Sequence, residues 1–417
     1  MQKDEVLRLL RDPNLLPSEK QILLSNIAAQ AAAMDMPCYV VGGFVRDLLL
    51  GKSINDLDII VEGDAIKFGE SLVKTFGGKL TTHDKFHTAI WHLPSSFNLQ
   101  PSTLDLITAR KETYLMPGAL PTVTPSTIED DLLRRDFTIN SMAIRLDGGH
   151  FGELLDPLNG QTDLEEGLIR VLHPQSFIDD PTRIFRAVRY EARYSFNLEP
   201  STLNLINPES LDVIPRLSGE RIRHELDLIF EEESSSQMIL RVGEFGVFKM
   251  IHPILPLFNP DYSFFLEMDS TLDIPSSKAE IGFMLWLMDS SEDEILSIGQ
   301  RLDFTSDLTY SVWAVSQLKK SLPFLVGSTP SVWTYALEKL PLLSIYVVYL
   351  VAREDPLLDF LSVWRHVKPH TTGNDLKARG LQPGPRFGEI LTQLRSAWLD
   401  GEVTNDKQEK ELLEKLL

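Results

Sequence analysis

The sequence predicts an α+β head followed by an all-helical body. Two observations carry this. Up to about residue 150, short β-type runs are mixed with helical spacing, in an order that is not a regular βαβ repeat. Beyond residue 160 apolar residues recur at helical spacing, strand signals almost vanish, and prolines at 174, 200, 215, 253, 256, 260, 275, 323 and 341 punctuate the helices. A chain of 417 residues exceeds one compact core, which predicts two to four domains.

Taken in order, residues 1–35 read as helical, with Ile22, Leu23, Ile27 and Ala31 spaced to make one apolar face. Cys38-Tyr-Val-Val41 is a short strand ending at Gly42-Gly43, and Phe44 to Leu50 resumes helical spacing until Gly51. Leu57 to Val61 is a second strand; Ala89–Leu93, Leu104–Thr108 and Met142–Leu146 are further β-like runs. The most apolar stretch, Pro341 to Ala352, closes at Arg353-Glu354-Asp355. It falls short of the ~20 residues that a bilayer requires, so it reads as a buried helix, and no membrane association is expected.

Hydrophobic content of 43% and charged content of 24% are ordinary for a globular protein. With Cys38 as the single cysteine, no disulfide can close within the chain and no cysteine-based metal site is possible. A reducing, cytoplasmic compartment is expected, and the mixed charges of Met1-Gln-Lys-Asp-Glu5 do not resemble a signal peptide. The net charge of −20 opposes nonspecific nucleic-acid binding through bulk charge, so any RNA contact must use local basic patches.

Gly42-Gly43 lies between a strand and a helix, where glycine lets a ligand approach the backbone and the helix start offers free N–H groups to an anion. Arg46 lies one turn further and is positioned to reach a phosphate. A double glycine alone is a weak signal. Asp56-Leu57-Asp58 strengthens it, because residues two apart on a strand point to the same side and converge two carboxylates on one site. Such hard oxygen donors suit Mg²⁺ shared with substrate phosphates. Asp105, on a later strand between Leu104 and Leu106, is a candidate third carboxylate.

These residues carry a family likeness. Gly42-Gly43-x-Val45-Arg46-Asp47-x-Leu49-Leu50-Gly51 followed by Asp56-x-Asp58 resembles the first motif of the class II tRNA nucleotidyltransferases and bacterial poly(A) polymerases. Arg134-Arg135-Asp136-Phe137-Thr138-Ile139-Asn140 resembles their second motif, with Ser141-Met142-Ala143 where Ala-Met-Ala is usual. Asp180-x-x-Arg183, running into Arg186-Ala187-x-Arg189-Tyr190, resembles their base-selecting motif, which usually opens Glu-Asp and here opens Asp179-Asp180. Ser218-Gly219-Glu220-Arg221-Ile222, Gly373-x-Asp375-Leu376 and Gly380-Leu381-x-Pro383-Gly384-Pro385 resemble later signatures, so the matches run in family order from about residue 39 to 390.

The resemblance implies a head of the DNA polymerase β nucleotidyltransferase type at 1–150, a helical neck at 151–232, a body at 233–355 and a tail contacting tRNA at 356–417. It implies Mg²⁺ on Asp56 and Asp58, beside which Asp105, from its strand position, stays the candidate third catalytic carboxylate. Gly42, Gly43, Arg46, Arg135, Asp136, Asn140, Arg186 and Arg189 would bind nucleotide, Arg135 at phosphate and Asp136 at the ribose 2′-hydroxyl. Asp180 and Arg183, expected on one helix face, would read the base. A carboxylate accepts and a guanidinium donates, which complements the amino group and adjacent ring nitrogen shared by cytosine and adenine; uracil and guanine would set an oxygen against Asp180.

Arg183, Arg186, Arg189 and Arg193 form a basic stripe, and Arg365, Lys368, Lys377, Arg379 and Arg386 a second patch around Gly-Pro loops. Arg193, Lys377, Arg379 and Arg386 are the RNA-binding candidates, with the acceptor stem and 3′ end of tRNA as the expected partner. His83-Asp84 lacks a second His/Asp set, His366 and His370 lack a third ligand, and Ser290 to Glu294 reads as an acidic helix start. The expected activity is addition of C and/or A from CTP and ATP to tRNA 3′ ends. Poly(A) polymerase, specialised CC- or A-adding enzymes and, outside the class, a noncatalytic RNA-binding protein are the alternatives. Arg110 to Leu133, rich in Pro, Thr and Gly, is expected to form a mobile loop on which nucleotide switching depends.

Overall fold

The computed structural model describes residues 1–54, 57–99, 102–266, 274 and 277–417. Contacts divide the chain into Met1–Leu217 and Ser218–Leu417. In the first unit α1 (Lys3–Leu10) and α2 (Ser18–Ala33) precede β1 (Cys38–Val41), α3 (Gly43–Leu49) and β2 (Asp58–Val61). Next come α4 (Ala65–Phe76), β3 (Lys79–His83), β4 (Thr88–His92) and β5 (Thr103–Thr108), then β6 (Arg110–Thr113), β7 (Thr122–Pro125) and α5 (Ile128–Leu133). The unit continues through β8 (Ala143–Arg145), β9 (Leu154–Leu155), α6 (Gly160–Glu166), β10 (Leu168–Ile169), α7 (Ser176–Asp179), α8 (Thr182–Tyr194) and β11 (Asn197–Leu198).

Seven strands form one mixed sheet in the order β3-β4-β5-β2-β1-β8-β9. β2 and β5 run parallel, with Asp58 opposite Asp105 and Val61 opposite Thr108, while β1 lies antiparallel to both β2 and β8. Cys38 to Val41 and Ile59 to Val61 are buried, so the middle of the sheet is covered on both faces and reads as continuous apolar runs. Each carboxylate stands on an exposed strand position next to a buried apolar one, Asp58 before Ile59 and Asp105 between Leu104 and Leu106.

Several expectations change. Ile22 is 58% exposed, and the inner face of α2 is made by Leu23, Leu24, Ile27, Ala28 and Ala31. β3 carried no recognisable strand pattern. The stretch Arg110 to Leu133, expected as a loop, contains the antiparallel hairpin of β6 and β7 and the helix α5, capped by the Thr127 side chain. Past residue 160 the strands shrink to the two-residue β10 and β11, as the loss of alternation predicts.

The second unit is helical. Its most apolar helix, Leu342–Ala352, buries Ile345, Tyr346, Val347, Val348 and Leu350, and none of the helices among the described residues is long and apolar enough to cross a membrane. The helix Glu292–Arg301 opens with a reciprocal cap between Ser291 and Glu294, which accounts for the acidic run there. A separate apolar cluster of Leu376, Ile390, Leu394 and Leu413 holds the C-terminal helices together.

Candidate active site

Gly42 is the N-cap of α3 and has φ +61, a conformation that suits glycine. A Cβ there would come within 2.5 Å of Arg135 Nη1, so the bare backbone is what admits the Arg135 guanidinium. Arg135 donates Nη2 to Asp131 Oδ2 at 3.0 Å, and its Nε is buried with no hydrogen-bond partner among the described residues. Asp131, fully buried on α5, also receives Arg134 through Nε at 3.0 Å and Nη2 at 2.7 Å.

Arg46, expected to hold the triphosphate, is already engaged within the protein. It is 5% exposed and donates to Asn140 Oδ1 at 2.6 Å and to both Asp47 carboxylate oxygens at 2.9 and 3.0 Å. Its guanidinium also lies over the rings of Tyr190 and Tyr194, with centroids at 5.4 and 4.7 Å. The residue therefore ties α3 to α8, while still lining a cleft of about 450 Å³ with Gly43, Asp47, Lys52, Arg193 and Tyr194.

Asp136 is likewise engaged. Oδ1 accepts from the Phe137 N–H at 2.8 Å and Asn140 Nδ2 at 2.9 Å; Oδ2 accepts from Arg186 Nε at 2.9 Å and Nη2 at 2.6 Å. Burial opposes its ionisation, but the Arg186 charge and the donated hydrogen bonds outweigh that and hold its pKa down at about 2. Two residues expected to bind nucleotide thus bind one another, and Asn140 links this pair to Arg46.

Asp180 and Arg183 do not share a helix face. Asp180 has an extended backbone between α7 and α8, where its Oδ1 accepts from the Thr182 N–H at 3.1 Å and hydroxyl at 2.7 Å. Arg183 sits in the first turn of α8, 5% exposed, and donates Nη2 to the Arg134 carbonyl at 3.0 Å. Its Nη1 is buried and has no hydrogen-bond partner among the described residues. The predicted basic stripe divides: Arg183 and Arg189 are buried, Arg186 is partly covered by its ion pair, and Arg193 is exposed near the end of α8.

The carboxylate pair comes from the sheet. Asp58 and Asp105 are register partners on adjacent parallel strands, which puts two hard oxygen donors side by side on one face of the sheet at exposed positions. Asp56 lies outside the described residues, and among the described residues no cluster of three metal-type side chains occurs. Glu112 and Tyr114, which nothing in the sequence marked, join the arginine cluster by way of the hairpin.

In the second unit Arg379 pairs with Glu414, and Arg386 with Glu389 at 3.0 Å, while Lys377 is exposed. His370 meets Asp406 at 2.5 Å and stacks on Trp398.

A mixed sheet with paired carboxylates on adjacent strands, together with a glycine turn that admits the Arg135 guanidinium, is the arrangement of a nucleotidyltransferase head. Residues 38–170 match the family model described as the poly A polymerase head domain, and residues 195–258 that described as the probable RNA and SrmB-binding site of polymerase A. An A-adding tRNA nucleotidyltransferase of Halalkalibacterium halodurans is 33% identical over 92% of this chain and 89% of its own length. That of Geobacter sulfurreducens is 33% identical over 96% of this chain; the match spans 47% of the relative. The Thermotoga maritima CCA-adding enzyme complexed with tRNA superposes with a TM-score of 0.79 at 30% identity, covering 99% of this chain and 98% of that one. A CCA-adding enzyme complexed with ATP gives 0.81 at 30% identity over 100% and 98%. The chain belongs to the tRNA nucleotidyltransferase family.

Proposed function

We propose that this protein adds C and/or A from CTP and ATP to the 3′ end of tRNA and releases pyrophosphate. One observation carries the reading within the family: Arg135 Nε and Arg183 Nη1 are buried donors without a hydrogen-bond partner among the described residues. A buried donor left so is completed by water, an ion or a ligand, and these two belong to the motifs expected to bind nucleotide.

In this reading the RNA 3′-hydroxyl oxygen bonds to the α-phosphorus of the incoming nucleotide in line, and the bond from that phosphorus to the bridging oxygen breaks. Mg²⁺ held by Asp56 and Asp58, the pair expected from the motif, with Asp105 opposite Asp58 as the candidate third ligand, would supply Lewis-acid activation of the hydroxyl and neutralise charge on the leaving group. Gly42, Gly43 and Arg135 hold the phosphates. Asn140 and Arg46 brace the turn, and Asp136 positions Arg186; the contact to the ribose 2′-hydroxyl is the role that the motif resemblance gives Asp136. Asp180 accepts from the exocyclic amine of cytosine or adenine, and Arg183 donates to the ring nitrogen beside it. Arg189 supports the same helix, and Arg193, Lys377, Arg379 and Arg386 meet RNA. The division into head 1–150, neck 151–232, body 233–355 and tail 356–417 belongs to this reading, as does a cytoplasmic setting.

The A-adding variant is the second reading, favoured by the relatives of that name at 33% identity over more than nine tenths of this chain. Incorporation with Mg²⁺ on tRNAs ending before CCA, after C and after CC, with each nucleotide singly and combined, separates them. C, C and A added in order mark a CCA-adding enzyme; A added only after CC marks the A-adding one. Long A tails on unstructured RNA would make it a poly(A) polymerase, and no incorporation on any RNA would sink the proposal.

A further inference from the structure

The hairpin of β6 and β7 is wired into the base-reading group. Glu112, on β6, has a side chain only 9% exposed. Its Oε1 accepts from Arg134 Nη1 at 2.9 Å and Arg110 Nη2 at 3.3 Å, and its Oε2 accepts from the Tyr114 hydroxyl at 3.2 Å. Arg134 is therefore held between two carboxylates, Glu112 and Asp131, and its own carbonyl receives Arg183 Nη2. A second tie lies at the hairpin connection, where the Gly118 N–H donates to the Asp179 carbonyl at 3.1 Å, one residue before Asp180.

The charges here are crowded. Burial and the neighbouring Arg134 both lower the Arg110 pKa, although Glu112 and Asp131 oppose them. Without Glu112, the mutual repulsion of Arg110 and Arg134 loses one of the two carboxylates that balance it. Arg134 would then shift, carrying with it the carbonyl on which Arg183 rests.

We propose that Glu112 is a positioning residue for base selection: through Arg134 it fixes the direction in which Arg183 presents its remaining donor. This rests on Arg183 reading the base, as proposed above. A displacement of this kind weakens discrimination more than it weakens phosphate binding, because the base contact depends on direction.

The test compares wild type with E112A, E112Q and Y114F. Incorporation of ATP, CTP, UTP and GTP is measured singly with Mg²⁺ on tRNA ending before CCA and after CC, and ATP and UTP binding is measured by calorimetry. In E112A the preference in kcat/KM for the correct nucleotide over UTP falls roughly tenfold. The binding preference for ATP over UTP falls with it, E112Q recovers part of both, and Y114F changes them less. A purely structural role would lower all four nucleotides together and leave the ratios unchanged; unchanged ratios in folded E112A and E112Q overturn the inference. Should wild type bind nucleotides but incorporate none, the proposed function fails and the binding ratio still decides Glu112. Wild type that binds ATP and UTP equally overturns the Glu112 proposal as well.

Discussion

Asp58 on β2 and Asp105 on β5 are direct register partners across a parallel strand pair. Parallel partners present their side chains on the same face, and both positions are exposed while their neighbours Ile59, Leu104 and Leu106 are buried. Neither carboxylate fills the core, so their replacement is expected to spare folding and remove chemistry. Asp58→Ala and Asp105→Asn should each lower incorporation by ~10²-fold or more, the loss of several kcal/mol of charge stabilisation. Thermal midpoints should stay within a few degrees of wild type. A fully active Asp105→Asn enzyme would remove Asp105 from the site.

Gly42→Ala should be costly for two reasons that act at one atom. The backbone at φ +61 disfavours any side chain, and the new Cβ would approach Arg135 Nη1 to 2.5 Å. Backbone strain of this type costs ~1–3 kcal/mol. The arginine tip must also move away from the turn, so denaturant unfolding should show reduced stability and the KM for nucleotide should rise. Gly51→Ala is the control: its φ is +66, but a Cβ there meets nothing within 4 Å, so it carries the backbone cost without the displaced arginine.

Arg183→Lys keeps a positive charge but loses the forked guanidinium that reaches the Arg134 carbonyl while keeping Nη1 available. Discrimination against UTP and GTP should drop by ~10²-fold or more, with a smaller change in the turnover of whichever nucleotide is bound. Single-nucleotide incorporation assays read this directly. Equal losses for all four nucleotides would show that Arg183 shapes the neck without reading the base.

The local motifs were legible because each is a short strand-turn-helix signal: Cys38 to Leu50 and Asp58 to Val61 fold where their spacing says they should. The pairings between them were not. Asp136 and Arg186 are 50 residues apart, and nothing in either motif says that they neutralise one another. The internal partners of Arg46 were hidden because two of them, Asn140 and Tyr190, come from the second and third motifs. β3 was hidden because Lys79-Leu-Thr-Thr-His83 has one apolar residue, Leu80, which packs toward Gly69 of α4. The hairpin of β6 and β7 was hidden by composition, since its connection is rich in turn residues while its strands are held by Glu112 and the arginines.

Asp136 makes acid stability measurable. Its folded pKa of about 2 lies below the ordinary aspartate value of 3.8, with Arg186 and the hydrogen bonds overcoming burial. A depressed carboxylate contributes stability that is fully present above the unfolded pKa and is lost as pH falls through the folded one, here from about pH 4 to about pH 2. The shift corresponds to ~2 kcal/mol. Asp136→Asn should flatten that part of the pH–stability profile and lower stability at pH 7, measured by denaturant unfolding at a series of pH values. A variant whose profile parallels wild type between pH 4 and 2 would refute the assignment.

The basic residues of the C-terminal region should differ in their value to RNA. Arg379 and Arg386 already face Glu414 and Glu389, so an RNA phosphate must compete with a carboxylate at each. Lys377 is exposed on the short helix Gly373–Ala378. If it neutralises one phosphate, Lys377→Ala should weaken tRNA binding and reduce the slope of log Kd against log salt by roughly 0.7–0.9, the share of one released counterion. Arg386→Ala should change the slope less, because removing it also frees Glu389 to repel the RNA without releasing a condensed ion. Binding isotherms of tRNA at several salt concentrations distinguish the two, and an unchanged slope for Lys377→Ala would move the RNA contact away from this helix.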